Sequence, residues 1–355
     1  MASKAYIHIG TSKTGTTSIQ RSMALHAARL RRDHSINYPD HWGNHMVLAL
    51  PFLGGQHFLP LENHLLRRRA TRKGLAAAAD RLIDGLRREA SLYRTHVLSS
   101  EQLHFLTDES VFRLKSFFDE IGLLTSIIVY VRHPAERISS LIAQRVRSGR
   151  FSLRTFEVED DVLPLLQRYA NIFGRSNMIV RRFGQRYWPN GRLIDDFTST
   201  FNGTPLGEMT ELRQNESLSA PAVMIADRLF DIAPLPSGKR GDEFWLHQIA
   251  GPKFLAPRAV VERAMEASSD CLAYLDREFD IQFHEVDLTQ FPETLSTDFP
   301  PETLASLASL LNEHSKIVSP ANRAPISQKR PRFFRRLYRH LAKAVGAGTA
   351  APAQR

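Results

Sequence analysis

Residues 5–17, Ala5-Tyr6-Ile7-His8-Ile9-Gly10-Thr11-Ser12-Lys13-Thr14-Gly15-Thr16-Thr17, carry the reading of the fold. Residues 5–10 read as a short buried strand. A loop of Gly, Thr, Ser and Lys follows, and then Ile19, Met23, Ala27 and Leu30 recur at helical spacing. Thr16 and Thr17 are expected to supply the helix cap and first turn. A strand, a glycine-bounded loop and a helix in this order make an anion cradle, because loop N–H groups and the positive helix N-terminus converge on one ligand. Gly10-x4-Gly15 has the spacing of a phosphate-binding P-loop. The nucleoside-triphosphatase version carries lysine directly after the second glycine. Here Thr16 holds that position and the lysine sits inside the loop, at Lys13. No aspartate suited to a magnesium ion follows the later strands, since residues 125–131 lead into Arg132. The expected chemistry is a metal-free reaction of a phosphate-like anion, with no metal site.

The alternation continues along the chain. Further strands are expected at Thr95–Ser99, Thr125–Val131 and Asn177–Phe183, and helices at 75–92, at Val111–Ile121, from Pro134 and at 192–201. Residues 125–131 are continuously apolar and β-branched, which suits a strand buried on both faces. Residues 32–73 read as irregular, and 218–316 as largely helical with a break at Pro234–Gly238. The fold class that follows is α/β: a P-loop-type three-layer α/β/α core with a mostly parallel sheet and a helical C-terminal part. One domain is expected over 1–323, with its nucleotide-binding core at about 1–205 and a helical part at about 206–323, followed by a tail at 324–355.

Composition narrows the class. At 355 residues, 43% hydrophobic and 24% charged, the chain is of globular type. Its single cysteine, Cys271, excludes an internal disulfide and any cysteine-built zinc or iron–sulfur centre. The formal charge is +10, but eight basic residues and no acids lie in 324–355, which leaves +2 on residues 1–323. The basicity therefore belongs to the tail, and no nucleic-acid partner is expected for the body. Phe333, Phe334, Leu337, Tyr338, Leu341 and Val345 recur at helical spacing among arginines, making a basic amphipathic stretch. It either lies on an anionic membrane surface or remains a docked or disordered end. The apolar run after Met1 is too short for a secretory leader. The expected location is the cytoplasm, with a peripheral position on the inner face of the membrane if the tail binds lipid.

A second element accompanies the loop. Arg132 ends the strand at 125–131, and Ser140 follows eight residues later, about two turns into the next helix. An arginine there points into the crevice where open α/β sheets bind ligands. Its forked donors and a serine hydroxyl can share one phosphate.

At these residues the chain resembles the sulfotransferase superfamily. His8 to Thr17 is similar to the 5′-phosphosulfate loop of the carbohydrate-type branch, Gly-x-x-Lys-x-Gly-Thr-Thr, and Arg132-x7-Ser140 is similar to the 3′-phosphate element with its Arg-x-Pro-x-x-Arg start. Tyr38-Pro39, Asn44-His45, Ser99-Ser100-Glu101 and Arg181-Arg182-Phe183 also look like bacterial members. The resemblance implies 3′-phosphoadenosine 5′-phosphosulfate (PAPS) as sulfuryl donor and a carbohydrate or glycolipid hydroxyl as acceptor. It implies donor binding by Lys13, Thr14, Gly15, Thr16, Thr17, Arg132 and Ser140, with Lys13 stabilising the leaving oxygen. The acceptor proton needs a base, and two residues offer one: Glu101, just after a strand, and His45, in the loop that follows Tyr38. The alternatives are an ATP-dependent phosphotransferase and a non-catalytic, membrane-associated binding protein on the same fold. His41 and His45 have His-x3-His spacing but lack the glutamate of a zinc motif. The Arg67–Lys73 run is either a solvated face or a binding patch for an acidic acceptor.

Overall fold

A computed structural model describes residues 2–39, 45–53, 71–147, 152–153, 156–212, 218–232, 243–296 and 299–318. The Arg67–Arg69 cluster, His41, the break at Pro234–Gly238 and the tail from 324 lie outside these residues. Five strands form one sheet: β1 (Lys4–Ile9), β2 (Ile36–Asn37), β3 (Thr95–Ser100), β4 (Leu124–Val131) and β5 (Met178–Arg182). The order is β2-β3-β1-β4-β5, and every pair is parallel. The described helices are α1 (Thr16–His34), α2 (Arg72–Glu89), α3 (Asp108–Glu120), α4 (Pro134–Arg147), α5 (Leu163–Phe173), α6 (Leu193–Asn202), α7 (Ala220–Ile232), α8 (Arg258–Ala267), α9 (Ser269–Phe279) and α10 (Pro301–Val318). The fold is α/β, as the alternation of strand and helix periods predicts.

Side-chain alternation along the strands builds the two interfaces. Ile7, Ile9, Leu98, Ile127 and Val129 pack with Leu82 of α2, Leu114 of α3 and Leu166 of α5. Tyr6, Val97, Ile128 and Tyr130 face the other way, toward Ile19 and Met23 of α1 and Phe197 of α6. The sheet is thus the middle of three layers. The chain leaves β1 for α1 on one face and β3 for α3 on the other, which opens a crevice at the C-terminal ends of these strands.

The chain divides into two compact units. One comprises the described residues of Met1–Ile142, Glu157–Glu216 and Leu255–Thr294, and holds the whole sheet. The other comprises those of Ala143–Phe156, Ser217–Phe254 and the residues from 295 onward. In this second unit Ser219 Oγ donates to the Ile249 carbonyl at 2.7 Å and accepts the Ala222 N–H at the start of α7. Leu218, Val223, Leu246 and Phe254 are buried there. Among the described residues no helix is long and apolar enough to cross a membrane.

Three expectations need correction. Residues 32–73 are not wholly irregular: α1 runs to His34, β2 adds an edge strand, and Met46–Phe52 forms a buried 3-10 helix. A two-residue strand has no readable period, and Pro51 disguises the apolar run. The cap of α1 is Gly15, in left-handed backbone, not a threonine side chain. Finally, residues 280–296 carry one 3-10 turn, Leu288–Gln290, in otherwise irregular chain.

Beneath the crevice His8 is fully buried, its Nδ1 2.8 Å from Ser99 Oγ and its ring edge-on to Tyr130 and Phe197. Burial lowers its pKa from 6.5 to about 3. The unfolded chain then binds a proton that the folded chain refuses, so stability falls as pH drops from about 6.5 toward 3. The cost is up to roughly 4 kcal/mol. Unfolding midpoints measured across that range should fall with acidification, and His8→Phe should flatten the slope.

Candidate functional site

Ile9 of β1 and Ser100 of β3 are register partners, so Gly10 and Glu101 leave the sheet side by side. A Cβ on Gly10 would stand 2.5 Å from Thr16 Oγ1 and 2.7 Å from Glu101 Cγ. Only glycine allows this approach. The loop beyond it is pinned from within. Thr11 Oγ1 donates to the Tyr130 carbonyl at 2.7 Å, and Thr14 Oγ1 donates to the Thr11 carbonyl at 2.8 Å. Lys13 takes a left-handed backbone, φ 69°. That conformation costs a non-glycine residue about 1–2 kcal/mol, and such strain persists where surrounding structure imposes it.

Gly15 closes the loop at φ 71°, and a Cβ there would lie 2.5 Å from Leu193 Cδ2 and 2.9 Å from Phe183 Cε2. Helix α1 then starts at Thr16 with no capping side chain and no acid in its first turn. Its leading N–H groups and the positive end of its dipole therefore face the crevice uncompensated. Thr16 Oγ1 is buried and lacks a hydrogen-bond partner of ordinary geometry, although Glu101 lies alongside. Thr17 is half-buried on the same turn.

Glu101 begins the 3-10 helix Glu101–Phe105, which Ser100 caps by accepting the Gln102 N–H at 3.3 Å. Its side chain reaches solvent at the crevice mouth while the walls crowd it. Partial desolvation raises its pKa, opposed by the neighbouring Thr16 hydroxyl and the Lys13 charge. The other base candidate is in a different situation. His45 is buried; its Nδ1 accepts the Ser99 N–H at 2.9 Å and its Nε2 donates to the Pro39 carbonyl at 2.9 Å. Gln20 of α1 donates to the Ser99 carbonyl at 3.2 Å. Together His45 and Gln20 fasten the end of β3 beneath Glu101.

Arg132 leaves β4 on the opposite side of the loop. Its Nη1 donates to the Lys13 carbonyl at 3.5 Å, and its guanidinium lies 5.3 Å from the Phe183 ring centroid. Burial works against its charge and lowers its pKa, with Glu136 restoring part of it. Arg132 Nε is a second buried polar atom without a hydrogen-bond partner. A cleft of about 540 Å³ opens here, lined by Arg132, Glu136, Phe183, Gly184, Gln185, Arg186 and Trp188. Phe183 and Trp188 meet edge to face, with centroids 5.0 Å apart.

Ser140 lies half-buried on α4, eight residues beyond Arg132. The neighbouring Ser139 is buried and accepts the Ala256 N–H at 2.9 Å. The second arginine of the Arg-x-Pro-x-x-Arg pattern, Arg137, is buried and paired with Asp161. Arg181 is likewise engaged, forking onto the buried Asp196, which also accepts from Tyr130 Oη. The structure thus brings Lys13, Thr14, Gly15, Thr16, Thr17, Arg132 and Glu101 to one crevice. Trp188, Arg186 and Glu136 escaped the sequence reading. The Trp188-Pro189-Asn190-Gly191 turn was the one local signal for a tryptophan held on a loop.

No family model matches the chain, and no curated protein matches it. Among solved structures, it is similar to a sulfotransferase domain from the curacin biosynthetic pathway, at 12% identity over 76% of this chain and 98% of that one, with a TM-score of 0.32. Residue roles therefore rest on the geometry above.

Proposed function

We propose that this chain is a PAPS-dependent sulfotransferase that moves a sulfuryl group to a hydroxyl of a carbohydrate or glycolipid acceptor. The observation that carries the reading is the pair of anion-seeking poles on one crevice. One is the uncapped, acid-free start of α1 beside Lys13; the other is Arg132, which touches the Lys13 backbone from the next strand. Arg132 Nε, buried without a hydrogen-bond partner, and the buried Thr16 hydroxyl beside Glu101 suit the two phosphate ends of such a nucleotide. The aromatic walls Phe183 and Trp188 suit its purine.

PAPS supplies the sulfuryl group, whose bond to the bridging oxygen of the 5′-phosphate breaks as the acceptor oxygen bonds to sulfur. The first-turn N–H groups of Thr16 and Thr17 hold the 5′-phosphate, and Thr14 and Gly15 keep the loop in shape around it. Lys13 stabilises the charge that grows on the bridging oxygen, a preorganised electrostatic contribution. Arg132, with Ser140 on the following helix, holds the 3′-phosphate. Glu101 takes the acceptor proton. It is preferred to His45, whose two ring nitrogens are already committed to the backbone. The carbohydrate class of the acceptor rests on the resemblance of the loop sequence.

Thermal unfolding with added nucleotides tests this reading. Adenosine 3′,5′-bisphosphate should raise the melting temperature without magnesium, by the mass-action stabilisation expected of any native-state ligand. A larger shift with ATP and magnesium would overturn the reading. A radiolabelled-sulfate transfer assay with PAPS and oligosaccharide acceptors then tests turnover.

A further inference from the structure

Glu136 is not needed by any step above, yet it stands in the wall of the cleft. It lies in the first turn of α4, where a carboxylate is favoured by the helix dipole. Its two oxygens reach in different directions. Oε2 is 3.6 Å from Arg132 Nε, and Oε1 is 3.7 Å from Arg186 Nη2. Both distances are ion pairs and too long for hydrogen bonds. Arg132 Nε accordingly stays without a hydrogen-bond partner. The carboxylate therefore neutralises two arginines without satisfying either. The other charged or titratable groups around it are Arg137 and His133, and burial lowers the pKa of the His133 ring.

We propose that Glu136 is a built-in competitor for the nucleotide's 3′-phosphate, an internal anion that must yield Arg132 and Arg186 before a phosphate can take them. The proposal rests on the nucleotide reading above and adds to it a residue that moderates affinity for the 3′-phosphate. A phosphate dianion can make short, charge-assisted hydrogen bonds to a guanidinium edge, which the long Glu136 contacts leave open. A hydroxyl in the same place carries no charge with which to displace a carboxylate. Glu136 thus lowers the affinity for a 3′-phosphate, which must displace it, and leaves a 3′-hydroxyl ligand, which need not, nearly untouched. It also weakens the hold on the spent nucleotide, which keeps that phosphate and must leave after each turnover.

Calorimetric titration of the full chain with adenosine 3′,5′-bisphosphate and with adenosine 5′-phosphate tests the idea. Glu136→Gln keeps the side-chain length and removes the charge. It should tighten the bisphosphate by about tenfold and the 5′-phosphate by less than about twofold. In an Arg132→Ala background the gain should largely vanish, because the contested cation is gone. Unchanged or weaker bisphosphate binding by a folded Glu136→Gln protein overturns the proposal, as does an equal gain for both nucleotides. Should that variant fail to fold, Glu136→Asp keeps the helix-end charge but withdraws the carboxylate. It should then show a smaller gain of the same sign, and no gain overturns the proposal. A wild-type chain that binds neither nucleotide removes the functional reading itself, and this proposal with it. Bisphosphate binding by wild type with no effect of Glu136 removes the proposal alone.

Discussion

Lys13→Ala should slow sulfuryl transfer by about 10²–10³-fold, the usual loss for one transition-state charge stabiliser. Its effect on the dissociation constant of adenosine 3′,5′-bisphosphate should be far smaller, because the charge it meets develops only as the sulfur–oxygen bond breaks. The backbone makes the argument sharper. Residue 13 is held at φ 69° by the Thr11 and Thr14 hydrogen bonds, so the side chain leaves the loop in a direction an ordinary strand residue would not take. Alanine accepts the same backbone with similar strain, so the loop should keep its form. Lys13→Arg preserves the charge but not the reach, and should recover only part of the rate. Arg132→Ala should behave in the opposite way, raising the nucleotide dissociation constant more than it lowers kcat, since the phosphate it would hold does not react. Single-turnover rates with saturating PAPS, set beside calorimetric affinities, separate the two. If Lys13→Ala weakened affinity and left the rate intact while Arg132→Ala did the reverse, the two ends of the nucleotide would have to be exchanged.

Much of this arrangement was legible in the chain, for reasons that differ by element. The β1–loop–α1 unit could be read because local rules agree there: an apolar strand, two glycines at P-loop spacing, and a 3.6-residue apolar period. The demand on Gly10 and Gly15 is visible in space as two Cβ positions already occupied by Thr16, Glu101, Leu193 and Phe183. Strand β4 could be read because burial on both faces requires an unbroken apolar run. What remained hidden depends on residues far apart in sequence. Nothing in the order Arg132, Glu136, Phe183, Trp188 says that they line one cleft; that follows from β4 and β5 being neighbours. Glu136 reads locally as a first-turn carboxylate, and its second arginine lies fifty residues on at Arg186. His45 and Glu101 were equal candidates because both are proton acceptors outside the strands and helices expected from the sequence, Glu101 just after a strand and His45 in a loop. The backbone hydrogen bonds to both His45 ring nitrogens, which separate them, involve Pro39 and Ser99 and leave no trace in composition.

Glu101→Gln should lower turnover by about 10²–10⁴-fold, the range for a lost general base, while nucleotide affinity stays near that of wild type. The sign of the pH dependence follows from the crowding of this carboxylate. A base must be ionised to accept the acceptor proton, and desolvation raises the pKa of Glu101 above its ordinary 4.5. The wild-type rate should therefore rise with pH through that raised value and level off above it, with its acid limb displaced upward from a free glutamate's. The glutamine variant should lose the limb together with the rate. Stability should move the other way. A carboxyl whose folded pKa is raised favours the folded state below its unfolded value, and that contribution is lost as pH climbs through the folded value. At neutral pH the ionised side chain is thus a burden on the fold, and Glu101→Gln should melt at or above the wild-type temperature. Slower turnover joined to undiminished stability is what a group held for chemistry should show, and it is the opposite of what loss of a structural carboxylate produces. A parallel His45→Asn variant supplies the contrast: the amide oxygen can still accept the Ser99 N–H, but the bond to Pro39 is lost, so it should melt lower and keep the acid limb. If His45→Asn abolished that limb and Glu101→Gln preserved it, the base would be His45.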